Sequence, residues 1–429
     1  MITFLTLFLG LVYGPVTVEL SAGADVARVE LFVDGQKAAD LAPPWAASLD
    51  LGSEIAPHEL VAVAFGRNGT RLGEIRQWIN RARPLAEAGF VLERDRTGRI
   101  AAARLVWHCL SSARPRRFDV SLDGRPLAAT DPSRIPLPPH APEVSHILMA
   151  DVVFAGGITA TAIASFGGRQ QERSERELTA YPIRISGEKE PPTSTRDDGW
   201  LGVDGRPVSI VAVESGPPEV VFVLAGSARE DLERLRREDS WPWPWSRPRP
   251  LDLPRETRYR FVATTAAVVP DAGGASRLFH TSEELTPADG PFLRLARSLV
   301  LETPEGPSSI AESVAVSALA ATGRERRRAA VLLLGGGAAD EGSVDAARVR
   351  RYLARLRVPL HVWKTSPGAA PAAADWPGAV DASTIGAMGR AFEALRADLA
   401  AQRIAWVDGR FDPARISLTA RAKGFAEAR

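Results

Sequence analysis

The sequence predicts a multidomain protein: two all-β sandwiches in tandem, followed by a doubly wound α/β domain. Three observations carry this. Short alternating strands separated by Asp-Gly, Asn-Gly and Pro turns fill the first 184 residues. One strand-and-turn unit occurs there twice, near residues 30 and 120. From residue 219 onward, unbroken apolar runs alternate with helical periodicity, as in a parallel sheet covered on both faces. A length of 429 residues suits two or three domains.

Residues 1–14 come first. Ile2 to Val12 is apolar, is followed by Tyr13-Gly14-Pro15, and is too short to span a bilayer. It is expected to be a signal-peptide core, although no Lys or Arg precedes it; a buried first strand is the alternative. No other segment is expected to cross a membrane.

Residues 15–82 form the first expected sandwich. Val16-Thr-Val-Glu-Leu20 alternates as a half-buried strand does. Val29, Leu31 and Val33 lead into Asp34-Gly35, a hairpin signal. Ala47–Leu51, Glu59–Phe65 and Leu72–Ile79 supply further strands. Residues 83–184 repeat the theme: Phe118, Val120 and Leu122 run into Asp123-Gly124, with later strands at Ser145–Phe154 and Ile158–Phe166. Residues 185–198 are polar and Pro-rich, and read as a linker.

Residues 199–429 complete the chain. Glu219–Leu224 is the first apolar strand, followed by helical spacing at Leu232 and Leu235. Strands at Arg258–Thr264, Ala329–Leu334 and Pro359–Trp363 alternate with helices marked by Ile310 and Val314, by Val349 and Leu353, and by Met388, Phe392 and Leu395.

Composition narrows the functional classes. A net charge of +1, with no arginine cluster interleaved with aromatics, gives no footprint for nucleic acid. Cys109 is the only cysteine, so neither an internal disulfide nor a thiolate zinc site can form. It lies in the strand-like run 104–110, where neighbouring His108 faces the other way; it is expected to be a small buried hydrophobe. The six histidines are scattered, without paired ligand spacing.

Two resemblances sharpen the reading. The strand–Asp-Gly turns and the Pro43-Pro44-Trp45 approach to a strand resemble bacterial immunoglobulin-like modules. Asp204-Gly-Arg-Pro207 leading to Glu214, the strand ending in Ala225-Gly-Ser-Ala-Arg229, Gly306–Ser313, Arg326–Gly336, Gln402–Trp406 and Ala420–Phe425 resemble bacterial von Willebrand factor A-related proteins over Gly199–Arg429. That family's metal-ion-dependent adhesion site uses Asp-x-Ser-x-Ser, a Thr from a second loop and an Asp from a third. Carried across, these positions hold Ala225, Ser227, Arg229, Ser308 and Gly335. Both carboxylates are missing, and two neutral hydroxyls cannot strip a hard divalent cation of its water. The site is expected to bind no metal, and Arg229 to favour an anionic group there. Asp340 and Glu341 are expected to form a solvated acidic turn, with Ser343 capping the next helix.

Gly335-Gly-Gly337 follows a strand and precedes a helix, but lacks the spacing of a phosphate loop. Ser227 lacks the Gly-x-Ser-x-Gly setting of a nucleophile. Trp241-Pro-Trp243-Pro-Trp245 is extended by its prolines; the tryptophans are expected either to fold over an edge or to form a recognition surface. The expectation is therefore a non-catalytic, extracytoplasmic (periplasmic or secreted) scaffolding protein without a cofactor. Its partner would be a protein or a cell-envelope component. The alternative is a nucleotide-binding regulator or enzyme using the 335–337 loop.

Overall fold

The structure, a computed structural model, describes all residues except 1, 7, 9–10, 81–85, 110–113, 155–158, 168–177, 186–198, 239–250, 272–273, 299–305, 324–325, 410, 412, 423 and 429.

The first sandwich contains β1 (Ile2–Phe4), β2 (Pro15–Ala22), β3 (Val26–Val33), β4 (Gln36–Leu41), β5 (Ala46–Asp50), β6 (His58–Gly66) and β7 (Arg71–Ile79). Its sheets run β1-β2-β5 and β4-β3-β6-β7. Val18, Leu20, Val29, Leu31, Leu60 and Ala62 fill the space between them, on the alternation read from the sequence. Part of the stretch expected to be a signal-peptide core is built into this unit. Ile2 pairs with Ala22 and is buried. The Val12 amide donates to the Asn80 side chain at 2.8 Å, and that side chain donates back to the Val12 carbonyl at 2.6 Å.

The second sandwich contains β8 (Ala86–Arg94), β9 (Ile100–Cys109), β10 (Arg117–Leu122), β11 (Arg125–Leu127), β12 (Ile135–Pro136), β13 (His146–Val153) and β14 (Thr159–Phe166). Its sheets, β12-β9-β8 and β11-β10-β13-β14, repeat the strand order of the first unit. The sequence repeat is thus one hairpin used twice, β3–β4 and β10–β11. In both, Asp and Gly occupy the two turn positions at positive φ, 51° and 78° in one, 52° and 76° in the other. Cys109 packs half-buried against the core.

A third hairpin follows. β15 (Leu178–Ile185) precedes β16 (Leu201–Val203) and β17 (Arg206–Pro207), joined through Asp204-Gly205 at φ 49° and 79°. Next come β18 (Ile210–Glu214), β19 (Glu219–Ala225), α1 (Ala228–Glu238), β20 (Arg258–Asp271), β21 (Gly274–Thr281), α2 (Phe292–Ser298), α3 (Ile310–Thr322), β22 (Arg328–Leu334), α4 (Ala346–Arg355), β23 (Leu360–Lys364), β24 (Val380–Asp381), α5 (Ile385–Ala401), β25 (Gln402–Asp408), β26 (Ile416–Leu418) and β27 (Phe425–Glu427).

β15 corrects the expected boundary at residue 184. Instead of completing the second sandwich, it pairs with β25 and β27, and its Tyr181 and Ile183 enter a small core with Trp200, Leu201 and Ile416. The sheets β18-β25-β15-β27 and β17-β16-β26 make this collar. Apart from Ile185, the expected linker lies outside the described residues.

The collar's strands flank a six-stranded sheet in the order β21-β20-β19-β22-β23-β24. All its neighbours pair in parallel except the edge strand β21. β19 and β22 are buried at every residue, which explains the apolar runs that follow their first residues, Glu219 and Arg328. One face packs on α1, α2 and α5 through Leu232, Leu235, Phe292, Phe392 and Leu395. The other packs on α3 and α4 through Val314, Ala318, Val349 and Leu353. The β20–β21 hairpin and α2 had no clear sequence signal. Beyond Thr264 the strand turns to small residues and ends in Pro270-Asp271, which masks its apolar pattern.

Candidate functional site

The resemblance places any ligand at the carboxyl ends of the parallel strands, and the structure brings three of the five carried positions into contact there. Ala225 ends β19, fully buried. Its carbonyl accepts from the Gly335 amide at 2.9 Å, and the Ser227 amide donates to the Gly336 carbonyl at 3.1 Å. A side chain at 335 has no room: a Cβ there would lie 2.1 Å from the Ala228 nitrogen and 2.4 Å from the Ser227 carbonyl carbon. Gly226 is equally confined, at φ 59° with a Cβ position 2.7 Å from the Ala338 nitrogen. Backbone therefore fills the cleft where a carboxylate and its cation would sit.

The hydroxyls are engaged as well. Ser227 Oγ donates to Asp231 at 3.0 Å, and Thr365 Oγ1 donates to the same carboxylate oxygen at 3.1 Å. Ser308 Oγ donates to Thr264 Oγ1 at 3.0 Å. Among the described residues, no three His, Cys, Asp or Glu side chains are placed to hold a metal ion. A divalent cation, which the resemblance would put here, does not fit these residues.

The acidic turn departs from expectation. Asp340 is half-buried and accepts from the Ile310 and Ala311 amides at 3.0 and 2.8 Å, and from Gly342 at 3.0 Å. It thus caps α3 from another loop, where Ser309 at the N-cap makes no capping bond and its hydroxyl instead accepts from Arg277 at 2.6 Å. Ser343 does not cap α4. Its hydroxyl donates to Glu312 at 2.9 Å, and Asp345 is the cap, accepting from the Arg348 amide at 2.7 Å.

Arg229 lies exposed on α1. The surface hollow around it is lined by Arg229, Arg234 and Arg237 against Glu230, Glu233 and Glu238, so its formal charge balances and anion selectivity has no basis there. Arg234 also donates to the Thr365 and Ser383 carbonyls, each at 3.1 Å, tying α1 to the loops after β23 and β24. Gly335-Gly-Gly337 offers no cradle for phosphate. The Gly335 amide is bound to Ala225, the Gly337 amide to Ala369 at 3.0 Å, and the Ala338 amide to Gly335 at 3.3 Å. Trp241, Trp243 and Trp245 lie outside the described residues.

Sequence reasoning missed a duplicated clasp. His58 Nδ1 meets Asp34 at 2.8 Å, and His146 Nδ1 meets Asp123 at 2.7 Å. In each sandwich the other oxygen of that aspartate accepts the next amide, from Glu59 or Ile147, at 2.9 Å. Two of the scattered histidines are thus the same position in two copies, and the recurrent spacing from Asp-Gly to His was the available signal. It also missed an ion cluster at a domain seam. Asp151, 1% exposed, lies 2.5 Å from Arg326 and 3.2 Å from Arg258; Arg258 also meets Asp119 at 2.7 Å and Glu284 at 2.9 Å.

No family model matches the chain, and no curated protein matches it. Solved structures similar to it include fibronectin(III)-like modules of CbhA from Clostridium thermocellum, at 16% identity over 18% of this chain and 93% of that one, with a TM-score of 0.17. The central fibronectin-III array of RIM-binding protein matches at 12% identity over 48% of this chain and 80% of that one, TM-score 0.20. The Bacteroides ovatus protein SGBP-B in complex with a mixed-linkage heptasaccharide matches at 13% identity over 48% and 57%, TM-score 0.14. No helix among the described residues is long and apolar enough to cross a membrane.

Proposed function

We propose that the chain is a non-catalytic, extracytoplasmic scaffolding protein, in which two immunoglobulin-like domains carry a metal-independent von Willebrand A-type domain that engages a protein or cell-envelope partner. The observation that carries this reading is the missing side chain at Gly335, whose Cβ position lies 2.1 Å from the Ala228 nitrogen. Where the family's cleft would take a carboxylate and a cation, this chain places two backbones in contact. The sheet order, the helices on both faces and the hydroxyls of Ser227 and Ser308 at the strand ends support descent from such a domain. With no open ligand position there, partner contact falls to side-chain surfaces, and no observation favours the nucleotide reading.

The test is a thermal-shift series on the full chain with Mg²⁺, Mn²⁺, Ca²⁺ and nucleotides, coupled to a pull-down with and without replacement of Trp241, Trp243 and Trp245. No shift with any addition is expected. Stabilisation by a divalent ion that disappears in Ser227→Ala would sink the metal-independent reading. Stabilisation by a nucleotide would favour the regulator or enzyme instead.

A further inference from the structure

The two sandwiches repeat one sheet in one register, but the chain covers its outer face in only one of them. In β10 and β13, Asp119 stands opposite Asp151 and Ser121 opposite Met149. In β3 and β6 the matching positions are Glu30 opposite Val63 and Phe32 opposite Val61. In the second sandwich this face docks on the C-terminal body. Ile147 and Met149 are each only 1% exposed, packed with Ala180, Val211, Ile404 and Trp406 of the collar, while Asp119 and Asp151 meet Arg258. In the first sandwich the face is open: the side chains of Arg28, Lys37 and Arg76 on it are 45, 41 and 49% exposed.

The outward side chains of this open face form four rows across the strands. In the first row Arg28 and Arg71 flank Phe65. In the second, Asp40, Glu30 and Glu74 lie in line with Val63. In the third, Lys37, Phe32 and Arg76 lie in line with Val61. Glu59 occupies the fourth, beside the turn that carries Asp34. The rows thus run positive, negative, positive, negative, with an apolar stripe of Phe65, Val63 and Val61 along β6. Ion pairs within the chain link neighbouring rows. Arg28 meets Glu30 and Asp40 at 2.5 and 3.1 Å, Lys37 meets the same two acids at 2.9 Å, and Arg76 meets Glu74 and Glu59 at 2.8 and 3.1 Å.

We propose that the outer face of β4-β3-β6-β7 is an interface between two copies of this chain. The order of the charges selects a second copy as the occupant. A two-fold axis lying across the strands, between the second and third rows, reverses the row order and turns every positive row onto a negative one. Asp40 and Glu74 of one copy then face Lys37 and Arg76 of the other, and Val61 faces Val63. An apolar centre with a charged rim results, the usual anatomy of a protein interface. The pairs inside each copy already neutralise the face, so stacking two copies leaves no charge without a partner. The second sandwich makes the same choice of face, with the collar as its partner. Four strands by seven residues span about 19 by 24 Å, or about 450 Å² a side. That is small for a specific interface, so a weak dimer forming at micromolar concentrations is expected.

Sedimentation velocity on the full chain, from about 1 to 200 μM at low ionic strength, tests this. The native chain is expected to pass from monomer to dimer over that range, and added salt is expected to weaken the dimer. Glu74→Arg sets positive against positive across the axis, and Arg76→Glu sets negative against negative. Each clash occurs twice, so each variant alone is expected to self-associate at least about tenfold more weakly. Mixed in equal amounts, the two variants are expected to associate as the native chain does, because each supplies the charge the other lacks. Neither restores the ion pair inside its own copy, so recovery in the mixture reads contact between copies. Thermal melts check that each variant is folded, and Lys37→Glu with Asp40→Lys supplies a second such pair at the other edge of the face. A native chain that stays monomeric at every concentration overturns the proposal and leaves the face to a foreign protein. A dimer that persists unchanged in both variants overturns it, as does a mixture of folded variants that associates no better than either alone.

Discussion

The hydroxyl of Tyr352 donates to the backbone carbonyl of Asn80 at 3.0 Å, joining a helix of the α/β domain to the residue that follows β7 of the first sandwich. Asn80 is itself a hub at φ 52°, its side chain bonded to the Val12 backbone and to the Ala56 carbonyl. Around this bond, Arg351 pairs bidentately with Glu54 at 2.7 and 2.8 Å, and Ile55 inserts into the α/β core. Tyr352→Phe would leave a buried carbonyl without its donor. A loss of about 1–2 kcal/mol is expected in urea unfolding. Hydrogen exchange in residues 54–56 and 79–80 is expected to quicken with it.

Restoring the carboxylate at Gly335 is expected to damage the protein without recovering metal binding. The nearest atoms to the new Cβ are backbone, so no side chain can swing aside. Gly335→Asp is expected to cost about 3 kcal/mol or more in chemical denaturation, with no Mg²⁺-dependent thermal shift. A variant as stable as the native chain would show the loops to be separable.

Asp151 is buried between two arginines of the C-terminal body. Replacing it by Ala leaves Arg258 and Arg326 in the seam without their shared carboxylate. The cost expected from urea unfolding is about 3–5 kcal/mol. Asp119→Ala, which removes a half-exposed partner of Arg258, is expected to cost about 1 kcal/mol or less.

Glu214 ties global stability to pH. Its folded-state carboxyl is raised from the ordinary value to about 7, chiefly by burial. The associated stability is fully present below the unfolded-state value and is lost as pH rises through about 7. Between about pH 4.5 and 7.5 this amounts to about 3 kcal/mol. Glu214→Gln is expected to flatten this part of the profile, measured as the urea midpoint against pH. An unchanged slope in the variant would assign the effect elsewhere.

The sequence by itself determined the elements whose physics is local. Alternation marked the strands of both sandwiches, because side chains leave a strand on opposite faces. The Asp34-Gly35 and Asp123-Gly124 turns were legible because two-residue hairpins demand positive φ. The buried strands β19 and β22 were legible because a sheet covered on both faces favours apolar runs such as Val220–Ala225 and Ala329–Leu334. At the candidate site, the loss of both carboxylates could be read from Ala225 and Gly335 alone. Tertiary structure decided what depends on residues distant in the chain. Only packing shows that Gly335 is small because Ala228 occupies the adjoining space, and that Asp340 caps α3 instead of facing water. Only pairing with β25 takes β15 out of the second sandwich, since its sequence of mixed apolar and polar residues does not say which sheet it joins. Asp151 and Glu214 look like ordinary polar positions in sequence. Their character comes from a domain seam that buries them, and burial between domains leaves no periodic trace in either partner.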